Sequence, residues 1–123
     1  HSKALLDFFK FELLGETQEV FAVLCLDVHL RKISFKKMFY GSLNSCEISI
    51  NQLLRHAINQ HASSIVIAHN HPFGMPLPSN ADIQLTQRIL TACDLLEIRL
   101  IDHCIISPEG SCSFAEHGLI QAQ

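Results

Sequence analysis

Apolar positions along the chain follow two rhythms, one helical and one extended. Leu5, Leu6, Phe8, Phe9, Phe11, Leu13 and Leu14 predict a helix over 3–16 with one broad apolar face, and Gly15 suits its end. Val20-Phe21-Ala22-Val23-Leu24-Cys25-Leu26 is continuous and rich in β-formers, so it predicts a central strand covered on both faces. Asp27 to Leu30 turns the chain, and Lys32 to Tyr40 alternates as a second strand pairing back, broken at Gly41. Residues 45–50 read as a short strand or extended link. Ser49 or Asn51 can cap a helix over about 52–61, with Leu53, Leu54, Ala57 and Ile58 on one stripe.

Ser63 to Ala68 predicts a buried strand that delivers His69 and His71 at its end. The loop 72–78 holds three of the four prolines and cannot be helix. Ser79 starts a helix of about 16 residues, with Ile83, Leu85, Ile89, Leu90, Cys93 and Leu96 facing inward. Ile98 to Ile106 reads as a last strand, and a tail with Phe114 and Leu119 closes the fold. The pattern predicts one α/β domain, a mixed sheet flanked by helices, with its core at about 4–120.

Composition narrows the class. With 123 residues, 48% hydrophobic and 17% charged, the chain suits one globular domain and not a disordered segment. Its apolar runs stop at six or seven residues, where a membrane-spanning helix needs about 20, and no signal peptide opens it. The start at His1-Ser2 is compatible with a tag remnant, and the length with one domain of a longer protein. A net charge of -3 argues against direct nucleic-acid binding. The basic positions Arg31, Lys32, Lys36 and Lys37 interleave with Ile33, Ser34 and Phe35, as on the solvated face and turn of a hairpin. Five cysteines (Cys25, Cys46, Cys93, Cys104 and Cys112) without a CxxC suggest neither a disulfide framework nor a zinc ribbon. They fit a reducing, cytoplasmic compartment.

The candidate chemistry lies at 69–82. Side chains at i and i+2 of a strand share a face, so His69 and His71 can converge on one ion, and Asp82 can return as a third ligand at the start of the next helix. Three protein ligands around zinc leave a position open for water, the mark of a catalytic site. Pro72, Pro76 and Pro78 stiffen the loop beforehand, and Gly74 permits a turn that other residues resist. Plainer readings stand beside this. A histidine at a strand end is ordinarily a surface or hydrogen-bonded residue. Ser79-Asn80-Ala81-Asp82 reads as a capping box with Asp in place of Glu. The cap does not explain two histidines aimed at one place.

His-x-His, seven residues, Ser, two residues, Asp resembles the JAMM signature of MPN-type zinc metalloproteases and deubiquitinases. Ile67-Ala68-His69-Asn70-His71-Pro72, Pro78-Ser79-Asn80-Ala81-Asp82 and Leu100-Ile101-Asp102-His103 resemble the bacterial RadC family within that group. So do Glu19-Val20-Phe21, Leu24-Cys25-Leu26-Asp27 and Gly41-Ser42-Leu43. The resemblance runs from about residue 4 to Ile120 and implies an MPN/JAMM, cytidine-deaminase-like architecture. It corresponds to the catalytic-type domain without the helical N-terminal region of longer members. The chain departs from the family at Phe73, where a small residue is usual, and at Ser49-Ile50-Asn51-Gln52.

The resemblance implies that His69, His71 and Asp82 bind Zn2+, that Ser79 stabilises a tetrahedral intermediate, and that an upstream glutamate is the general base. Glu19, just before the first strand, fits that position, with Glu47 the runner-up and Glu16 third. The implied activity is hydrolysis of a peptide or isopeptide bond in a protein or peptide substrate. A non-catalytic MPN module that binds protein or DNA in DNA repair is the alternative, and a zinc nuclease is a third reading disfavoured by the acidic charge. His29, His56, His61 and His117 read as surface residues. Asp102 and His103 read either as a pair orienting a ligand or, for His103, as a packed structural residue. Oligomeric state is not legible.

Overall fold

The continuous apolar run Val20–Leu26 becomes β1, and all seven of its residues are buried. It sits inside a five-stranded sheet of order β2-β1-β3-β4-β5. The computed structural model describes residues 2–41 and 48–120. In chain order these form α1 (Ser2–Leu13), β1, β2 (Lys32–Tyr40), α2 (Ile50–Asn59), β3 (Ser64–Asn70), α3 (Asn80–Leu95), β4 (Arg99–Ser107) and β5 (Gly110–Ser113). β1 pairs antiparallel with both β2 and β3, β4 runs parallel to β3, and β5 turns back antiparallel on β4. This is the mixed, helix-flanked α/β sheet expected from the pattern.

Strand alternation divides the core into two layers. Phe21, Val23, Cys25, Ile65 and Ile67 face α2 and α3, where Leu53, Leu54, Leu85, Ile89 and Cys93 meet them. Val20, Ala22, Leu24, Val66 and Ala68 face α1, where Phe9 and Leu13 are fully buried. Each such buried leucine, isoleucine or phenylalanine contributes roughly 1.5–3 kcal/mol by leaving water.

The differences from expectation have local causes. α1 ends at Leu13, and Phe11 and Leu14 lie exposed: the helix carries more apolar residues than its one buried stripe holds. α2 begins at Ile50, two residues before the expected start, because Ser49 is the cap and its Oγ accepts from Gln52 N. Ile58 and Leu96 are exposed, whereas Thr86 is fully buried on the inward stripe of α3. β5 was not expected at all. The extended stretch expected over 45–50 lies outside the described residues as far as Glu47, and Cys46 with it.

A bulge in β4 sets which residues face which layer. Ile65 pairs with Leu100, but Val66 pairs with Asp102, so Ile101 is an extra residue in the ladder. Beyond it the alternation is inverted. Asp102 joins the α1 side and His103 turns towards α3.

The basic stretch lies on the β1–β2 hairpin. Arg31 pairs with Asp27, Lys37 with Glu16 at 2.7 Å, and the Lys32 ammonium sits 3.8 Å above the Phe8 ring. Among the described residues no helix is long and apolar enough to cross a membrane.

Candidate metal centre

β3 ends by carrying His69 onto the α3 side of the sheet, next to Phe21 on β1, its ladder partner. His71, just beyond the strand, is still held in line, because its backbone N donates to Ile106 O at 2.8 Å. The loop then returns to α3, which opens with a capping box. Ser79 Oγ accepts from Asp82 N at 3.0 Å, and the Asp82 carboxylate accepts from Ser79 N at 2.8 Å. The cap leaves the carboxylate facing the histidines. Gly74 is not what makes the loop turn. It has no left-handed backbone, and a Cβ there would meet nothing within 4 Å.

His69, His71 and Asp82 bring one ligand atom each to within 4.8 Å of one another, the one such cluster among the described residues. The two Nε2 atoms are 3.0 Å apart, and Asp82 oxygens lie 3.4 Å from His69 Nε2 and 3.7 Å from His71 Nε2. Zinc with tetrahedral ligands at about 2.0–2.1 Å separates them by about 3.3 Å, so the donor set fits that ion.

Hydrogen bonds on the far side of each ring settle which nitrogen carries a proton. His71 Nδ1 lies 3.0 Å from Met75 O, a pure acceptor, so it donates there and neutral His71 has its lone pair at Nε2. The case of His69 runs through two further residues. The Thr86 hydroxyl donates to Asp82 O at 2.7 Å and so can only accept from His103 Nδ1, also at 2.7 Å. Burial pushes His103 well below its ordinary value, so it stays neutral. Its Nε2 is then an acceptor, and His69 Nδ1 donates to it at 2.8 Å. Neutral His69 therefore also presents a lone pair at Nε2.

The electrostatics of the focus suit a cation. Burial works to raise the Asp82 carboxyl, but the His69 and His71 rings that face it and the hydrogen bond from the Ser79 amide hold it well below the usual carboxylate range. The Asp82 carboxylate beside it raises His71 against burial, with help from Met75 O and the charge of Glu19.

Sequence reasoning missed Thr86, because a lone threonine in an apolar helical stripe gives no signal. His103 is packed, as one of its two readings had it, with the Phe114 ring centroid 4.4 Å away, and its Nε2 also meets His69 Nδ1. Asp102 is not its side-chain partner. Asp102 lies on the α1 side and accepts from Ser113 Oγ and Ala115 N. Thr86→Val keeps the shape and removes the acceptor for His103. Zinc affinity in a competition titration should fall about 10–100-fold, and an unchanged affinity would show that the chain from Thr86 to His69 has no hold on the metal.

Glu19 lies just before β1 and is half-buried. With Thr17, Gln18, His71, Pro72 and Phe73 it lines a cleft of about 410 Å³, so Glu19 and one residue of the focus, His71, border the same space. Glu16 is turned into its ion pair with Lys37, and Glu47 lies outside the described residues. Ser79 is exposed at the edge of the site, and its bond to Asp82 N uses a lone pair, not the hydroxyl proton. His29, His61 and His117 are exposed, while His56 is half-buried, and burial, with Lys36, lowers its pKa.

The family model described as RadC-like JAB domain matches residues 1–119. A UPF0758 protein of Acinetobacter baumannii is 62% identical over 119 residues, covering 97% of this chain and 51% of the relative. A UPF0758 protein of Psychrobacter sp. is 46% identical over 115 residues, covering 94% and 51%, and one of Xylella fastidiosa is 42% identical over 111, covering 90% and 50%. The chain thus spans about half the length of these curated relatives. Its five-stranded sheet flanked by three helices is consistent with the JAB/MPN fold. By sequence match over nearly all its length and by fold, the chain belongs to the RadC family of JAB-domain proteins.

Proposed function

We propose that the chain is a zinc-dependent hydrolase that cuts an amide bond in a peptide or isopeptide substrate. The observation that carries this reading is the meeting of three ligand atoms beside a cleft that Glu19 also lines. His69, His71 and Asp82 would hold the ion, and its chemistry there would be Lewis acidity, which makes water nucleophilic near neutral pH and polarises a carbonyl.

The chain's own groups then have distinct tasks. Glu19 takes a proton from the attacking water and returns it to the departing nitrogen as the C–N bond breaks. The Ser79 hydroxyl proton is available to the oxygen on which negative charge develops. Thr86 and His103 keep His69 in one tautomer, and the cap at Ser79 keeps Asp82 at the focus. A protein substrate is supported by the net charge of -3, which gives no electrostatic attraction for nucleic acid. A reducing, cytoplasmic setting is supported by Cys25, Cys93, Cys104 and Cys112, all free and buried.

The zinc-loaded chain, offered a library of peptide and isopeptide substrates, should cleave a subset and lose that cleavage when a chelator strips the metal. Stoichiometric zinc with no cleavage, together with tight binding of protein or DNA, would favour the non-catalytic module instead.

A further inference from the structure

The residue between the two histidines, Asn70, is buried and points to the opposite side of the sheet from them. Its Oδ1 accepts from Val20 N at 2.6 Å, and its Nδ2 donates to Gln18 O at 3.0 Å. Those two backbone groups flank Glu19. The ladder between β1 and β3 has Phe21 opposite His69 as its last pair. One residue further on, the Asn70 amide carries the connection as a side chain. On its other edge the Glu19 segment is held just past the end of β2, where Gly41 N donates to Glu19 O at 2.9 Å.

We propose that Asn70 is a positioning residue that sets Glu19 against the metal focus. An amide side chain offers one acceptor and one donor in a fixed plane, which matches an N–H and a C=O on the neighbouring chain. Asp lacks the donor, Ser and Ala lack the span, and Gln is a methylene longer. Asn70 also belongs to the same tripeptide as His69 and His71. Two of the ligands and the anchor of the base are therefore separated by single peptide bonds. Any shift of β3 carries all three together, and the geometry between base and metal is preserved.

This inference rests on the hydrolase reading, and it is testable apart from it. Asn70→Ala removes both bonds, and Asn70→Ser is a milder version should the first fail to fold. Each should bind zinc within about threefold of the parent, because no ligand contact is touched. Their kcat should fall about tenfold to hundredfold with KM little changed, the scale of a misplaced catalytic group. In a Glu19→Gln background the same substitutions should cost little more, since their effect passes through Glu19. Amide exchange at Val20 should quicken at least about tenfold, with or without metal.

A loss of zinc affinity in step with kcat, or a full additional loss in the Glu19→Gln background, would overturn the proposal in favour of a merely structural role. An unchanged kcat, or an unchanged exchange rate at Val20, would overturn it outright. If the zinc-loaded parent cleaves nothing, the hydrolase reading fails by itself, and exchange at Val20 still decides whether Asn70 anchors the Glu19 segment.

Discussion

Glu19→Gln will bind zinc as the parent chain does and hydrolyse its substrate about 10²–10⁴-fold more slowly. The substitution is nearly isosteric and leaves His69, His71 and Asp82 untouched, so metal content reports that the focus is intact while activity reports the lost base. The range corresponds to about 2.7–5.5 kcal/mol of transition-state stabilisation, at about 1.36 kcal/mol per factor of ten. Glu19 is preferred because it lines the cleft with His71, and its charge reaches that histidine. Glu16 is committed to Lys37, half-buried on both sides of the pair, and Glu16→Gln should leave kcat near the parent value. A collapse of activity in Glu47→Gln with none in Glu19→Gln would move the role to Glu47.

The second large effect is on the metal itself. The pair His69→Ala and His71→Ala should reduce bound zinc from near one equivalent to below about a tenth, since a lone carboxylate keeps no tetrahedral site. At free zinc about a hundred times Kd, the parent should gain about 2.7 kcal/mol of stability and the double variant nothing. The comparison must be made between metal-loaded and metal-free forms of each protein. Removing the His69 ring leaves His103 Nε2 without its donor and opens a void beside Phe21, so the double variant starts out less stable for reasons unrelated to zinc. Binding by the parent should also weaken in acid. A proton competes for His71, whose pKa is raised by Asp82, so the competition begins above the ordinary value of 6.5 and strengthens as pH falls. Stoichiometric zinc retained by the double variant would sink the site.

Much of this was legible because the signals were strong where they mattered. The bounds of β1 and β2 follow from an unbroken apolar run and a clear alternation, and α3 begins where Ser79 caps it. The three residues that meet at the focus announce themselves by spacing. What escaped has a common character: it depends on single polar residues or on register. Thr86 and Asn70 look like interruptions in apolar stretches, yet both are buried, Thr86 bonded to His103 and Asp82 O, and Asn70 to the backbone on either side of Glu19. β5 escaped because Gly110-Ser111-Cys112-Ser113 carries almost no apolar pattern and is held by pairing with β4. On α1, an excess of apolar residues obscured which stripe is buried. The face of His103 could not be counted from the start of its strand, because the count changes at Ile101.

That extra residue bears on how the family can vary in length. Past Ile101, a shift of one position exchanges the two sides of the sheet. It would set the carboxylate of Asp102 against His69 and send the imidazole of His103 under α1. A shift of two would restore the sides and only slide the contacts. Insertions and deletions between Leu100 and Asp102 should therefore be tolerated in even steps and eliminated in odd ones, so that this short stretch keeps its parity even where its residues drift.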